Sequence, residues 1–154
     1  MPESSIMEIP GITRAGTGFD GTDGTVWNIL GQTYYPKQSC ESSFAFEAQS
    51  PPGTFVPPHI HPTQDEYILM LEGTWKLILD GQTHFASAGD LVRMPRGIMH
   101  GYFNESGAPA RAFFWVTPGR RLHDLFKALH NLSDVDEVVR LSKAHEVDFL
   151  PPPA

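Results

Sequence analysis

Cysteine is almost missing from this chain of 154 residues: Cys40 stands alone. A single thiol can neither close an internal disulfide nor build a thiolate metal site, so no oxidising compartment is implied. Basic residues are scarce as well. Eleven Lys and Arg face 18 Asp and Glu, a formal charge of −7, a balance that argues against binding nucleic acid or an anionic membrane, both of which need a basic face, though a local patch can hide in an acidic total. No apolar run approaches the roughly 18 residues of a membrane span. The start, Met1-Pro2-Glu3-Ser4-Ser5, has neither the basic nor the apolar region of a signal peptide, which makes the cytoplasm the expected location.

Glycine and proline are plentiful instead, 14 of each, about a fifth of the chain against a usual share of roughly 12%. Many short strands joined by tight turns produce that excess. Aromatic residues make up 11% and apolar residues 40%, enough for one domain with its own core.

Residues 1–24 read as an irregular arm, 25–118 as a barrel and 119–154 as a helical cap ending in the Pro-rich tail Pro151-Pro152-Pro153. Strands are expected near Val26–Tyr35, Phe44–Ala48, Glu66–Leu71, Thr74–Leu79, Thr83–Ala86, Leu91–Met94, His100–Phe103 and Arg111–Val116. Their number and spacing suit a barrel or sandwich. Pro57-Pro58 forces extended backbone just before His59. Leu122, Leu125, Phe126 and Leu129 recur at helical spacing; Ser133-Asp134-Val135-Asp136 resembles a capping box ahead of Val138, Val139 and Leu141. Two short helices therefore follow an all-β body and are expected to pack on it as a cap.

His59 and His61 stand two apart in extended backbone, so their imidazoles share a face. A short polar turn, Pro62-Thr63-Gln64-Asp65, then lets Glu66 return nearby. His100 follows the turn Pro95-Arg96-Gly97. Three imidazoles and a carboxylate suit Fe, Mn, Ni, Cu or Zn in the divalent state. Asp65 competes with Glu66 for the carboxylate role; Glu66 is preferred because it would share a strand face with Ile68 and Met70. Of the other histidines, His84, His123, His130 and His145 are expected in solvated or capping roles, and Arg93 and Arg96 on a solvated face or in a salt bridge. Tyr67, Trp75, Tyr102, Phe114 and Trp115 are assigned to core or pocket, with Tyr102 on the same face as His100.

The order Gly53, five residues, His59-Ile60-His61, four residues, Glu66, six residues, Gly73 resembles the first motif of the cupin superfamily at every fixed position. Gly89, five residues, Pro95-Arg96-Gly97, two residues, His100, three residues, Asn104 resembles the second, and fifteen residues separate the two. The likeness is greatest to single-domain cupins of the quercetin 2,3-dioxygenase-like kind. It implies an all-β double-stranded β-helix, the cupin or jelly-roll barrel, with His59, His61, Glu66 and His100 as ligands of one divalent transition metal per chain. Asn104 would pin a turn.

The resemblance further implies an oxidoreductase of the dioxygenase type acting on a small aromatic or enolic molecule, with Glu66 as ligand and base and Tyr102 as pocket wall or proton shuttle. A pocket lined by Ile68, Met70, Trp75 and Tyr102 would be apolar. Two alternatives use the same site: a lyase or isomerase that needs no O2, and a non-catalytic small-molecule-binding cupin. Strands apolar on both faces, such as Glu66–Leu71, make a homodimer the expected assembly.

Overall fold

Alternation sets the architecture. On β5 (Asp65–Glu72), Glu66, Ile68 and Met70 are buried while Tyr67, Leu69 and Leu71 face outward. The same rule on β10 (Ala110–Thr117) buries Ala110, Ala112, Phe114 and Val116 and turns Phe113 and Trp115 out. The computed structural model describes residues 10–19 and 26–150. Its remaining strands are β1 (Trp27–Ile29), β2 (Gln32–Ser39), β3 (Phe44–Ser50), β4 (Phe55–Ile60), β6 (Thr74–Leu79), β7 (Gln82–Ser87), β8 (Leu91–Met94), β9 (His100–Phe103) and β11 (Asp148–Phe149). Two helices, α1 (Leu122–Leu129) and α2 (Val135–Ala144), stand between β10 and β11. The strands form two antiparallel sheets, ordered β1-β2-β3-β10-β5-β8 and β11-β4-β9-β6-β7. Face to face they enclose one core that includes Phe44, Phe46, Ile68, Trp75, Leu77 and Phe114, the double-stranded β-helix expected.

Gly53, Gly73, Gly89 and Gly97 all have φ between +79° and +93°, a conformation that a Cβ penalises. Each turn of the two sequence motifs therefore needs its glycine.

Several elements differ from expectation. The single strand Val26–Tyr35 is a hairpin, since Ile29 pairs with Gln32 across Leu30 and Gly31 at φ 51° and 83°. A two-residue turn with both centres left-handed matches strand twist, and Leu30 gave no sign of it. Pro57 and Pro58 lie within β4, where the register to β9 shifts between Val56 and His59; such an irregularity accommodates residues with no N–H. β11 was not foreseen, and it pairs Phe149 with His59. The N-cap of α2 is Asp134, one residue later than the capping box read from Ser133; its side chain accepts from Glu137 N at 3.2 Å. Tyr67 and Trp115 are not core residues: they lie together on the outer face, ring centroids 5.9 Å apart, with Trp115 50% exposed. The described part of the arm, 10–19, has neither helix nor strand, and Pro151-Pro152-Pro153 lie outside the described residues.

Candidate metal centre

β4 delivers His59 and, one residue past its end, His61; β9 opens with His100, and β5 supplies Glu66. All four are buried, at 2–5% exposure. The ring centroids of His59 and His100 are 4.3 Å apart, and those of His61 and His100 5.3 Å. One ligand atom from each histidine lies within 4.8 Å of the others.

Each ring is oriented from behind. His59 Nδ1 meets Pro57 O at 2.8 Å, His61 Nδ1 meets Gln64 Oε1 at 3.1 Å, and His100 Nδ1 meets Ile98 O at 3.3 Å. These oxygens accept only, so each Nδ1 carries the proton and each Nε2 is presented to the centre. Glu66 Oε2 stands 2.9 Å from His61 Nε2 and 3.8 Å from His100 Nε2. Two ligands about 2.1 Å from one ion stand roughly 3 to 4 Å apart, and these separations fall in that range. Glu66 Oε2 and His100 Nε2 are also buried without an aligned hydrogen-bond partner. Leaving such groups unsatisfied is costly, and a divalent cation satisfies both at once. The donor set fits a metal ion.

Electrostatics divide the four groups. Burial pushes His59 well below its ordinary 6.5, and the neighbouring His100 and His61 push the same way. Burial also lowers His100, outweighing the pull of Glu66. At His61 burial again opposes charge, but the charge and contact of Glu66, with Gln64 behind, prevail and raise it. Burial works to raise Glu66, yet the charge and contact of His61, then His100, bring it down to about 2. Without a metal Glu66 is ionised at neutral pH, and of the three imidazoles His61 is the one biased toward its charged form.

A cavity of about 50 Å³ opens from His59, His61 and Glu66. Its walls are Tyr34, Phe46, Tyr102 and Phe114 from the barrel, Leu125 and Phe126 from α1, and Phe149 from β11. The helical cap is therefore a wall of the chamber as well as packing. Ile68, Met70 and Trp75, expected as lining, lie in the core behind it, with Trp75 stacked on Tyr102 at 4.0 Å. Tyr102 donates to Gln32 Oε1 at 2.9 Å, and its oxygen lies 3.0 Å from Tyr34 Oη. Burial raises the Tyr102 hydroxyl well above its ordinary value, with Tyr34 adding to the shift. A phenol held so is a hydrogen-bonding wall rather than a ready proton donor.

Asp65 turns outward to an ion pair with Arg96, 3.1 Å, which leaves Glu66 as the carboxylate at the centre. His84 is exposed on β7. His130 Nδ1 accepts from Asn28 N at 2.9 Å, His145 Nδ1 meets Leu141 O, and His123 packs in parallel on Phe44. Asn104 ties its turn to Ser50 O and Ala108 O. Sequence reasoning missed Tyr34 and Gln64. Period-two spacing from Gln32 could have flagged Tyr34; nothing local marks Gln64.

Residues 46–117 match the family model described as "Cupin domain". Among solved structures, KdgF from Halomonas sp. superposes with a TM-score of 0.60 at 20% identity, over 69% of this chain and 96% of that one. An RmlC-like cupin from Shewanella frigidimarina gives 0.60 at 18% identity, over 71% and 95%. Residues 46–117 thus resemble a cupin domain, on a barrel fold shared with a solved RmlC-like cupin. Curated relatives match over shorter stretches. Germin-like protein 9-3 of Oryza sativa subsp. japonica is 36% identical over 67 residues, 40% of this chain and 31% of the relative. The tetracenomycin polyketide synthase protein TcmJ of Streptomyces glaucescens is 29% identical over 77 residues, 50% and 52%. Quercetin 2,3-dioxygenase of Bacillus subtilis is 37% identical over 54 residues, 35% and 16%. The chain spans about a third to a half of the length of the first of these relatives. No helix among the described residues is long and apolar enough to cross a membrane.

Proposed function

We propose that this cupin holds one divalent transition metal through His59, His61, Glu66 and His100, and acts as a dioxygenase-type oxidoreductase on a small enolic or aromatic molecule. The observation that carries the metal reading is the convergence on one buried centre of Glu66 Oε2, 2.9 Å from His61 Nε2 and 3.8 Å from His100 Nε2, with His100 Nε2 left without a hydrogen-bond partner. The dioxygenase reading draws support from the partial likeness to quercetin 2,3-dioxygenase. A bound metal would supply Lewis-acid polarisation of the substrate oxygen and a site for electron exchange with O2. Glu66, ionised throughout the neutral range, accepts the proton of the substrate hydroxyl at a carboxylate oxygen. Tyr34 and Tyr102 offer the adjacent hydroxyls, and the apolar walls of α1 and β11 exclude water.

A volume of about 50 Å³ is far below the roughly 150 Å³ that holds a benzene ring. A few-atom enolic substrate therefore fits with less movement than an aromatic one, which requires α1 and β11 to shift outward. Protein purified without an affinity tag should carry close to one transition metal per chain by elemental analysis. His59→Ala and His100→Ala should each lose most of it; retention in both would refute the ligand set. Because metal binding stabilises the folded state, chelation should lower the melting midpoint. O2 uptake with an enediol, β-diketone or flavonol then separates the dioxygenase from a lyase or isomerase, which turns over anaerobically. We also propose a homodimer.

A further inference from the structure

Gln64 is 1% exposed and looks in sequence like part of a solvated turn. Its amide is fully used. Nε2 donates to Pro118 O at 3.0 Å and to Gly119 O at 2.7 Å, while Oε1 meets His61 Nδ1 at 3.1 Å. Two carbonyls can only accept, which fixes the amide orientation that is otherwise ambiguous. Oε1 is then the one group left for His61. The Nδ1 proton follows, and with it the presentation of Nε2 to the centre.

Pro118 and Gly119 belong to the strap that joins β10 to α1 and so carries the whole C-terminal cap. The strap is pressed on the barrel: Gly119 N donates to Glu41 O at 3.3 Å, and a Cβ on Gly119 would stand 2.7 Å from Cys40 O. One side chain thus touches a ring of the donor set on one side and the root of the chamber's helical wall on the other. The geometry points to Gln64 as a positioning residue that couples metal binding at His61 to seating of the cap. The inference rests on the metal reading above. Coupling of this kind is reciprocal: metal steadies the strap, and a seated strap favours the metal-holding orientation of His61.

Neither Met nor Glu serves both ends. Met matches the volume of Gln without its hydrogen bonds. Glu keeps an acceptor for His61 Nδ1 but offers the two carbonyls no donor.

The test uses the full chain with Co(II) as probe. Affinity is read from the cobalt absorption bands and cap seating from amide hydrogen exchange over residues 119–129. In the wild-type chain, Co(II) should slow exchange in that segment. Gln64→Met should bind Co(II) about 10–100-fold more weakly, the usual effect of losing a group that orients a metal-binding histidine, and its strap should no longer respond to metal. Gln64→Glu should bind more tightly than Gln64→Met yet show the same lost response.

Co(II) affinity unchanged in Gln64→Met, or a metal-dependent strap that persists in both variants, overturns the coupling. Should a variant fail to fold by circular dichroism, the wild-type measurement decides alone: no exchange difference on adding Co(II) overturns it. A wild-type chain that binds no Co(II) fails at the metal reading itself, and the coupling falls with it.

Discussion

Four titratable side chains share one buried centre, and their proton count has measurable consequences. The folded value of His61 is raised above its ordinary 6.5, so its stabilising contribution is fully present below 6.5 and is lost as pH rises through the raised value. His59 and His100 are lowered. Their contributions are present above 6.5 and are lost as pH falls, because the unfolded chain takes up protons that the fold refuses. Glu66 is lowered from 4.5 to about 2, so its contribution holds above 4.5 and fades towards 2. Between 6.5 and 4.5 the two lowered histidines change while His61 is already protonated, so the melting midpoint of metal-free protein should fall across that window. The same count applies to metal binding at pH 6. His61 is biased toward its charged form and His59 and His100 away from it, so calorimetry in two buffers of different ionisation enthalpy should find fewer than three protons released per metal. Release of three would mean that all the imidazoles start charged.

At the scale of elements, α1 carries the clearest energetic claim. Leu122, Leu125, Phe126 and Leu129 are buried against the barrel, and Leu125 is 1% exposed on the chamber wall. Leu125→Ala should destabilise the protein by about 2–5 kcal/mol in denaturant melts while metal content stays at the wild-type level; loss of metal as well would mean that α1 supports the donor set directly. This helix was legible from spacing alone, as were the inward Glu66 and the paired His59 and His61, because each rests on a period of two or 3.6 residues within one segment. Other elements depend on contacts that no local window contains. The turn at Leu30 hides behind a residue that rarely adopts positive φ, and β11 exists only because β4 presents an edge to it. Trp115 was misplaced since β10 is apolar on both faces and period two cannot then say which face is inward. Gln64 gains its role from a strap more than fifty positions away.

The whole molecule presents two outer sheet faces, and their apolar residues are arranged differently. On the six-stranded sheet, Phe113 pairs with Leu69 and Leu69 with Leu91, while Trp115 pairs with Tyr67; Leu91, Trp115 and Leu69 are 53%, 50% and 39% exposed. Three adjacent strands thus carry a continuous apolar row, with Arg93 opposite Tyr67 at its border. On the five-stranded sheet, Lys76 sits between Phe103 and Phe85, its ammonium over the Phe103 ring and paired with Glu105, so a charge interrupts the row. A twofold axis sets a patch against its own copy, and an uninterrupted apolar row buries apolar surface without desolvating a charge such as that of Lys76. We propose that the homodimer, if formed through a sheet, would use the six-stranded face. Trp115→Glu should scatter light as a monomer in size-exclusion chromatography and keep its metal, since Trp115 points away from the donor set. Phe85→Glu should leave the dimer intact. A wild-type chain that is monomeric at tens of micromolar, or a Trp115→Glu variant that still dimerises, would remove this face from the assembly.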